Sequence, residues 1–339
     1  MHLNSTQKRS VRIKGTGKYL PQRLLTSAQM DQQFSLIPGT IEKKSGIKKR
    51  HVMDINAGET IVQMAAAAAR DAVKNANLTL NDIDCLVFAG GVCERLIPCT
   101  ASLIHRELEL DARHIPAFDI NSTCVSFVVA LDTLSYTIDF GKYQNVLIVS
   151  ADAASVGLNP KDMATYIILG DGAAAAVVSK SVAPEKSAIL GSLMKTYSMG
   201  THLCDLSLGL GHIPRSSEQY NWENYTFRMD GKGIYKLIGD VFPAFLTELL
   251  GPLRLRLTDI DMIVPHQASN IAIQSIRDGL GVPAHKIMDI YSDHANQVAS
   301  SVPMALHEGI SQNKIQRGNT VLLLGTSAGV SLSGLVFSY

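Results

Sequence analysis

Three side chains in this 339-residue sequence are of types that together could carry acyl transfer: Cys124, His266 and Asn296. Each sits just past a short apolar run. Cys124 closes the segment Phe118-Asp119-Ile120-Asn121-Ser122-Thr123-Cys124 and precedes an apolar stretch from Val125. A thiol at a helix N-terminus feels the positive end of the helix dipole, which favours its thiolate. His266 follows Ile263-Val264-Pro265, and Asn296 lies in the loop after Asp289-Ile290. A thiolate can take an acyl group from a thioester, and neutral imidazole and carboxamide groups can donate hydrogen bonds to a developing oxyanion. Taken singly, each has an ordinary explanation: core packing for the cysteine, a structural histidine, a turn asparagine. Their weight lies in the combination. Cys85, Cys93, Cys99 and Cys204 lack the strand–loop–helix setting and read as structural. The five cysteines form no CxxC pair and no zinc-like spacing with histidine, which argues against both a metal site and a disulfide scaffold.

The elements that must position these groups alternate between strand and helix. Helices are expected over 61–77 (with Thr60 as cap), 101–110 and 125–140, and strands over 83–88, 116–120 and 145–150. The second half repeats the order, with helices over 233–250, 271–280 and 298–310 and strands over 262–265, 287–290, 321–324 and 332–337. Such alternation implies a parallel or mixed sheet covered by helices. Local likeness points to duplication. Asp82-Ile83-Asp84-Cys85-Leu86-Val87 resembles Asp259-Ile260-Asp261-Met262-Ile263-Val264, Phe118-Asp119-Ile120 resembles Met288-Asp289-Ile290, and Val146-Leu147-Ile148-Val149 resembles Val321-Leu322-Leu323-Leu324. Two such halves, 1–180 with the cysteine and 181–339 with the histidine and asparagine, would bring equivalent loops together across a cleft at the strand ends.

Longer motifs resemble those of 3-oxoacyl-(acyl-carrier-protein) synthase III, within the thiolase-fold condensing enzymes. The likeness runs from Gly15-Thr16-Gly17-Lys18-Tyr19-Leu20-Pro21 through Ser45-Gly46-Ile47 and Arg50-His51 to the Cys124 segment. It continues with Leu169-Gly170-Asp171-Gly172-Ala173, Val264-Pro265-His266-Gln267-Ala268, and Asn296 followed by Ala299-Ser300-Ser301-Val302-Pro303. The resemblance implies an α/β thiolase-like fold of two duplicated βαβαβαββ halves in a five-layered αβαβα sandwich. It implies that Cys124 is acylated and that His266 and Asn296 stabilise the enolate formed as malonyl-acyl-carrier-protein loses CO₂. The enolate would attack the Cys124 thioester, whose oxyanion is held by backbone N–H groups of Cys124 and of the Ala328-Gly329 loop, Gly329 being the expected donor. It further implies acyl pocket positions at Phe127, Ile97 and Leu169, with Ile97 reaching into a partner subunit. The substrates are acyl-CoA or acyl-carrier protein and malonyl-carrier protein, with no other cofactor; the partners are acyl carrier protein and a second copy of the chain. Because thiolases of this fold use a second Cys and elongating synthases a second His, Asn296 points to the initiating type or its relatives.

Several positions depart from the family. Thr40 and Met163 stand where common members hold adenine between a Trp and an Arg, and the only tryptophan is Trp222. Gly325-Thr326-Ser327-Ala328-Gly329-Val330-Ser331 replaces a Gly-Gly-Gly segment, as in specialised relatives that form pimelate, condense head to head, or make cyclohexanedione or resorcinol rings. Ser126 replaces a usual Gly. Lys232 and Lys236 could meet an acidic carrier, and residues 204–215, with Gly209-Leu210-Gly211 and Arg215, read as a flexible loop.

Composition narrows the alternatives. At 46% hydrophobic and 18% charged residues the chain can bury a sizeable core. A balance of 31 basic and 30 acidic residues argues against a general nucleic-acid binder. The start of the chain lacks the apolar run of a secretory signal, and the uncharged stretch 321–339 holds too many Gly, Ser and Thr for a membrane span, so a cytoplasmic enzyme is expected. A Cys-His-Asn hydrolase shares the chain order of the three residues but leaves the repeat without a role. An acyltransferase of the same fold that never condenses is the other alternative.

Overall fold

The computed structural model describes residues 8–206 and 226–339; Gly209-Leu210-Gly211, Arg215 and Trp222 lie outside the described residues. The main sheet of the first half is built from β1 (Val11–Tyr19), β2 (Cys85–Phe88), β3 (Ala117–Asp119), β4 (Asn145–Ala153) and β5 (Asp171–Lys180). They form one sheet in the order β1-β5-β4-β2-β3, parallel where β2 meets β3 and β4, antiparallel at β5. The second half supplies β6 (Ala188–Thr196), β7 (Met262–Pro265), β8 (Thr320–Ser327) and β9 (Ser331–Ser338), ordered β6-β9-β8-β7. With β6 matched to β1, β7 to β2, β8 to β4 and β9 to β5, the second sheet repeats the order of four strands of the first; β3 has no strand counterpart among the described residues. A pair of carboxylates marks the repeat: Asp84 Oδ2 accepts from Asn145 N–H at 2.9 Å, and Asp261 Oδ2 from Thr320 N–H at 2.8 Å.

Burial on both faces explains why the strands read as unbroken apolar runs. Side chains alternate between two cores. Val87, Ile148 and Ala176 enter the core between the sheets, while Leu86, Leu147 and Val177 pack outward against α1 (Ile61–Asn75) and α2 (Thr100–Glu107). In the second sheet Leu323 and Leu335 face the same inner core, and Leu322 and Val336 face α4 (Gly231–Leu250) and α5 (Asn270–Leu280). The inner layer is made by α3 (Ser126–Phe140) and α6 (Ser301–Ser311). The result is the five-layered αβαβα sandwich. By length and mean hydropathy (1.3), residues Thr123–Phe140 would suit a membrane, but half of that stretch is buried in this inner layer. The uncharged stretch 321–339 forms most of β8 and all of β9.

The strand expected over 287–290 is a correction. Only an isolated bridge, Ile263 to Ile287, survives. The buried Gln267 side chain occupies the neighbouring backbone instead, accepting from Ile290 N–H at 2.9 Å and donating to Met288 O at 3.1 Å. These bonds replace the ladder on which a strand would rest.

Candidate active site

The ends of β2, β3, β4, β7 and β8 open on one cavity of about 2150 Å³, and Cys124, His266 and Asn296 all line it. The nucleophile loop is held by its own side chains. Thr123 N–H donates to Asn121 Oδ1 (2.8 Å), and Ser122 N–H donates to Ser126 Oγ (2.9 Å). Ser126 Oγ–H in turn donates to Thr123 O (2.6 Å). The serine that replaces a usual glycine is thus fully buried and ties the loop to the start of α3. β8 presses on this loop from the other half: a Cβ on Gly325 would fall 2.7 Å from Val125 Cγ1.

His266 and Asn296 are equally fixed. His266 Nδ1 lies 2.5 Å from Ser301 Oγ. Asn296 Oδ1 accepts from Val298 N–H (2.9 Å) and its Nδ2 donates to Ala268 O (3.2 Å), which assigns the amide and leaves one N–H for the cavity. Backbone strain gathers here. Thr123 (φ 48°), Val298 (51°) and Val330 (45°) are the only β-branched residues with positive φ among the described residues, and all three flank the cavity's polar groups; Ala295 (58°), next to Asn296, joins them. Each such conformation costs about 1–3 kcal/mol and persists only where surroundings enforce it.

Desolvation dominates the electrostatics. Burial pushes the Cys124 thiol up to about 12, nearby Cys204 and Asp152 add to the rise, and the backbone N–H groups of Ala328 and Cys124 oppose it. The helix-dipole expectation of a readily ionised thiol is therefore overturned at rest. Burial alone lowers His266 to about 4, so the imidazole is neutral near pH 7. Asp152 is raised to about 6 by burial, offset by the donors around it. Its Oδ1 accepts from Gly91 and Val92 N–H (both 2.8 Å), and its Oδ2 from Ser300 N–H (2.9 Å) and Ser300 Oγ (2.8 Å).

Other expectations fare unevenly. Leu169 lines the cavity. Phe127 does not: it is fully buried in the core between the sheets, because the first turn of α3 points it inward. Ile97 is 80% exposed and lies outside the cavity of its own chain. Ala328 and Gly329 both line the cavity, and the Ala328 N–H lies against the resting Cys124 thiol. Met163 and Lys232 line the cavity; Thr40 and Lys236 do not. Asp152 and Ser301 were missed. The one signal for Asp152 was an acid inside an otherwise apolar strand; Ser301 lay in the family-like segment Ala299-Ser300-Ser301-Val302-Pro303, with nothing local to mark its role.

Fold and site together define a thiolase-like condensing acyltransferase. Residues 252–339 match the family described as 3-oxoacyl-[acyl-carrier-protein (ACP)] synthase III C terminal, and residues 118–198 match 3-oxoacyl-[acyl-carrier-protein (ACP)] synthase III. The chain is 30% identical over 329 residues to beta-ketoacyl-[acyl-carrier-protein] synthase III of Aquifex aeolicus, covering 97% of this chain and 99% of that one. Against the Neisseria gonorrhoeae synthase of the same name the identity is 31% over 328 residues, with 97% and 99% covered. The Aquifex aeolicus 3-oxoacyl-[acyl-carrier-protein] synthase III crystal structure superposes with a TM-score of 0.86 at 28% identity, covering 97% of this chain and 100% of that one. The chain belongs to the 3-oxoacyl-(acyl-carrier-protein) synthase III family and is a beta-ketoacyl synthase III-type condensing enzyme.

Two measurements check these electrostatics. Below its pKa a thiol's ionised fraction rises tenfold per pH unit, so alkylation of Cys124 by iodoacetamide should quicken about tenfold per unit from pH 7 to 9. A plateau below pH 8 would contradict the buried, protonated thiol. Histidine titrates near 6.5 when unfolded and His266 at about 4 when folded. The unfolded chain thus binds more protons between those values, and stability present above pH 6.5 is lost as pH falls toward 4. Between pH 7 and 5 this group should cost about 2 kcal/mol, read as the difference in urea-unfolding slope against pH between wild type and His266→Asn.

Proposed function

We propose that Cys124 attacks a starter acyl thioester, releasing the carrier thiol, and that the acylated enzyme then condenses with malonyl-acyl-carrier-protein. The malonyl group loses CO₂, leaving an enolate on the arm-bound thioester. His266 and Asn296 donate hydrogen bonds to that enolate oxygen. Its carbon attacks the Cys124 thioester carbonyl, whose oxygen is met by the N–H groups of Cys124 and of the Ala328-Gly329 loop. The C–S bond then breaks, returning the thiol and freeing a 3-oxoacyl-carrier product. The observation that carries this reading is the convergence of all three side chains on one cavity. Decarboxylation makes the carbanion without a strong base, so neutral donors suffice, and removing one typically costs about 10²–10³ in rate. The relatives are named for acyl carrier protein, which supports that carrier as the partner here.

A cavity of about 2150 Å³ exceeds the ~300–1,000 Å³ of ordinary ligand pockets, which supports its holding a pantetheine arm and an acyl chain together. Thr40 and Met163 in place of an adenine clamp fit a starter delivered by carrier protein as well as one on coenzyme A. Five free thiols support a reducing compartment such as the cytoplasm. The assembly is a homodimer across the β3 edge, where Phe118 (37% exposed) and Ile97 would meet a second copy.

Intact-protein mass and CO₂ release test the chemistry. Cys124→Ser should lose stable acyl labelling, while Asn296→Ala should keep labelling and decarboxylate about 10²–10³ more slowly. Acyl transfer without CO₂ loss would favour a non-condensing acyltransferase, and peptide cleavage a hydrolase. Light scattering should give twice the 36.6 kDa chain mass, falling toward one chain for Ile97→Asp; a monomeric wild type would refute the dimer.

A further inference from the structure

His266 can act as a hydrogen-bond donor only if its single proton sits on the nitrogen that faces the cavity. A neutral imidazole carries one N–H, and which nitrogen holds it is set by the partner of the other. For His266 that partner is Ser301 Oγ, 2.5 Å from Nδ1 and fully buried at the start of α6. The hydroxyl's other neighbours and their distances favour one direction for this bond. Gln267 N–H donates into one lone pair of Ser301 Oγ at 3.3 Å. The single hydroxyl proton then has two acceptors to choose from: Nδ1 at 2.5 Å, or Val298 O at 3.0 Å. Val298 O already accepts the backbone N–H of Ser301 itself. The imidazole nitrogen is nearer and has no other partner among the described residues.

We infer that Ser301 is a positioning residue that donates its hydroxyl proton to Nδ1 of His266, so that the resting imidazole is held as the Nε2–H tautomer and turned as a donor toward the cavity. Ser301 touches no substrate and acts only through the ring. The same short helix start serves both halves of the site. Ser300 receives the Asp152 anchor from β4, and Ser301 receives the imidazole from the end of β7. A shift of that turn would move anchor and tautomer control together.

This inference rests on the proposed role of His266 as a donor, and the experiment separates the two. In wild-type protein labelled with ¹⁵N-histidine, the His266 ring should show protonated Nε2 and unprotonated Nδ1 at pH 7.5. Ser301→Ala should show a mixture of tautomers. Its malonyl decarboxylation should fall about 10–100-fold, the usual effect of losing a group that orients a functional histidine. Acylation of Cys124 should change less than about threefold, since the nucleophile loop is untouched, and this doubles as the control for folding. Ser301→Thr, which keeps the hydroxyl, should recover most of the loss. A wild-type ring protonated on Nδ1, or a folded Ser301→Ala enzyme that decarboxylates at the wild-type rate, overturns the inference. If His266→Ala itself decarboxylates normally, the donor role fails instead, while the tautomer measured on the resting protein still decides who sets it.

Discussion

The Asp152 carboxylate takes hydrogen bonds from two segments, Gly91-Val92 of the first half and Ser300 of the second, while anchored at the end of β4. A buried carboxylate is expensive, and its pKa rise to about 6 records that cost. The four donors offset it only while all three segments keep their places. The clamp therefore converts an electrostatic penalty into a geometric constraint. It binds the loop beyond β2 to the turn that carries Asn296 and Ser301, and this is where two independently folded-looking halves become one site.

Around the clamp the backbone is held in conformations it would not choose. Thr123, Ala295, Val298 and Val330 all sit at positive φ, and each is adjacent to a functional segment: the nucleophile, the amide donor or the oxyanion loop. Their strain is opposed locally. Val298 N–H is held by the Asn296 side chain it helps to aim, and Val330 O accepts from Tyr197 N–H at 2.8 Å. The same interactions that keep strained backbone in place thus orient the reacting groups, which is the pattern expected where strain serves preorganisation.

Much of this was legible in the residue order. The alternation of apolar runs and helices located α1 to α6 and the parallel strands, and the Asp-Ile-Asp repeats immediately precede the equivalent strands β2 and β7. Three strands of the two main sheets escaped: β1, β5 and β6. β5 (Asp171–Lys180) contains Ala173-Ala174-Ala175-Ala176, and a run of alanines has helix propensity that only its place between β1 and β4 overrides. The strand expected over 287–290 failed for the opposite reason, since the deciding interaction is a side chain, Gln267, from a distant segment. Cys124 and His266 were visible because their loops follow recognisable strands, and Asn296 because it follows Asp289-Ile290, which resembles Asp119-Ile120 before the nucleophile loop although it forms no strand. Phe127 was misjudged because a residue three past the nucleophile already obeys the 3.6-residue period of α3 and turns into the core. Ser301 and Asp152 act through hydrogen bonds between segments 35 and 148 residues apart, which no local pattern records.

The charge state of the site explains why its donors are neutral. At rest the thiol is protonated and the imidazole uncharged, and Asp152, the carboxylate that bears on the thiol, is already satisfied by donors. A charged histidine in this cavity would bear the desolvation cost before any substrate arrived. In the proposed reaction, neutral N–H groups of His266, Asn296, Cys124 and the Ala328-Gly329 loop avoid that cost and gain strength when negative charge appears on a thioester oxygen, because the apolar walls screen little. The penalty that keeps Cys124 protonated is thus the same property that makes fixed dipoles effective against an enolate. In such a site the decisive variables are which way each donor points and which atom carries its proton, and these are set by Val298 N–H for the amide and by the Ser301 hydroxyl for the ring.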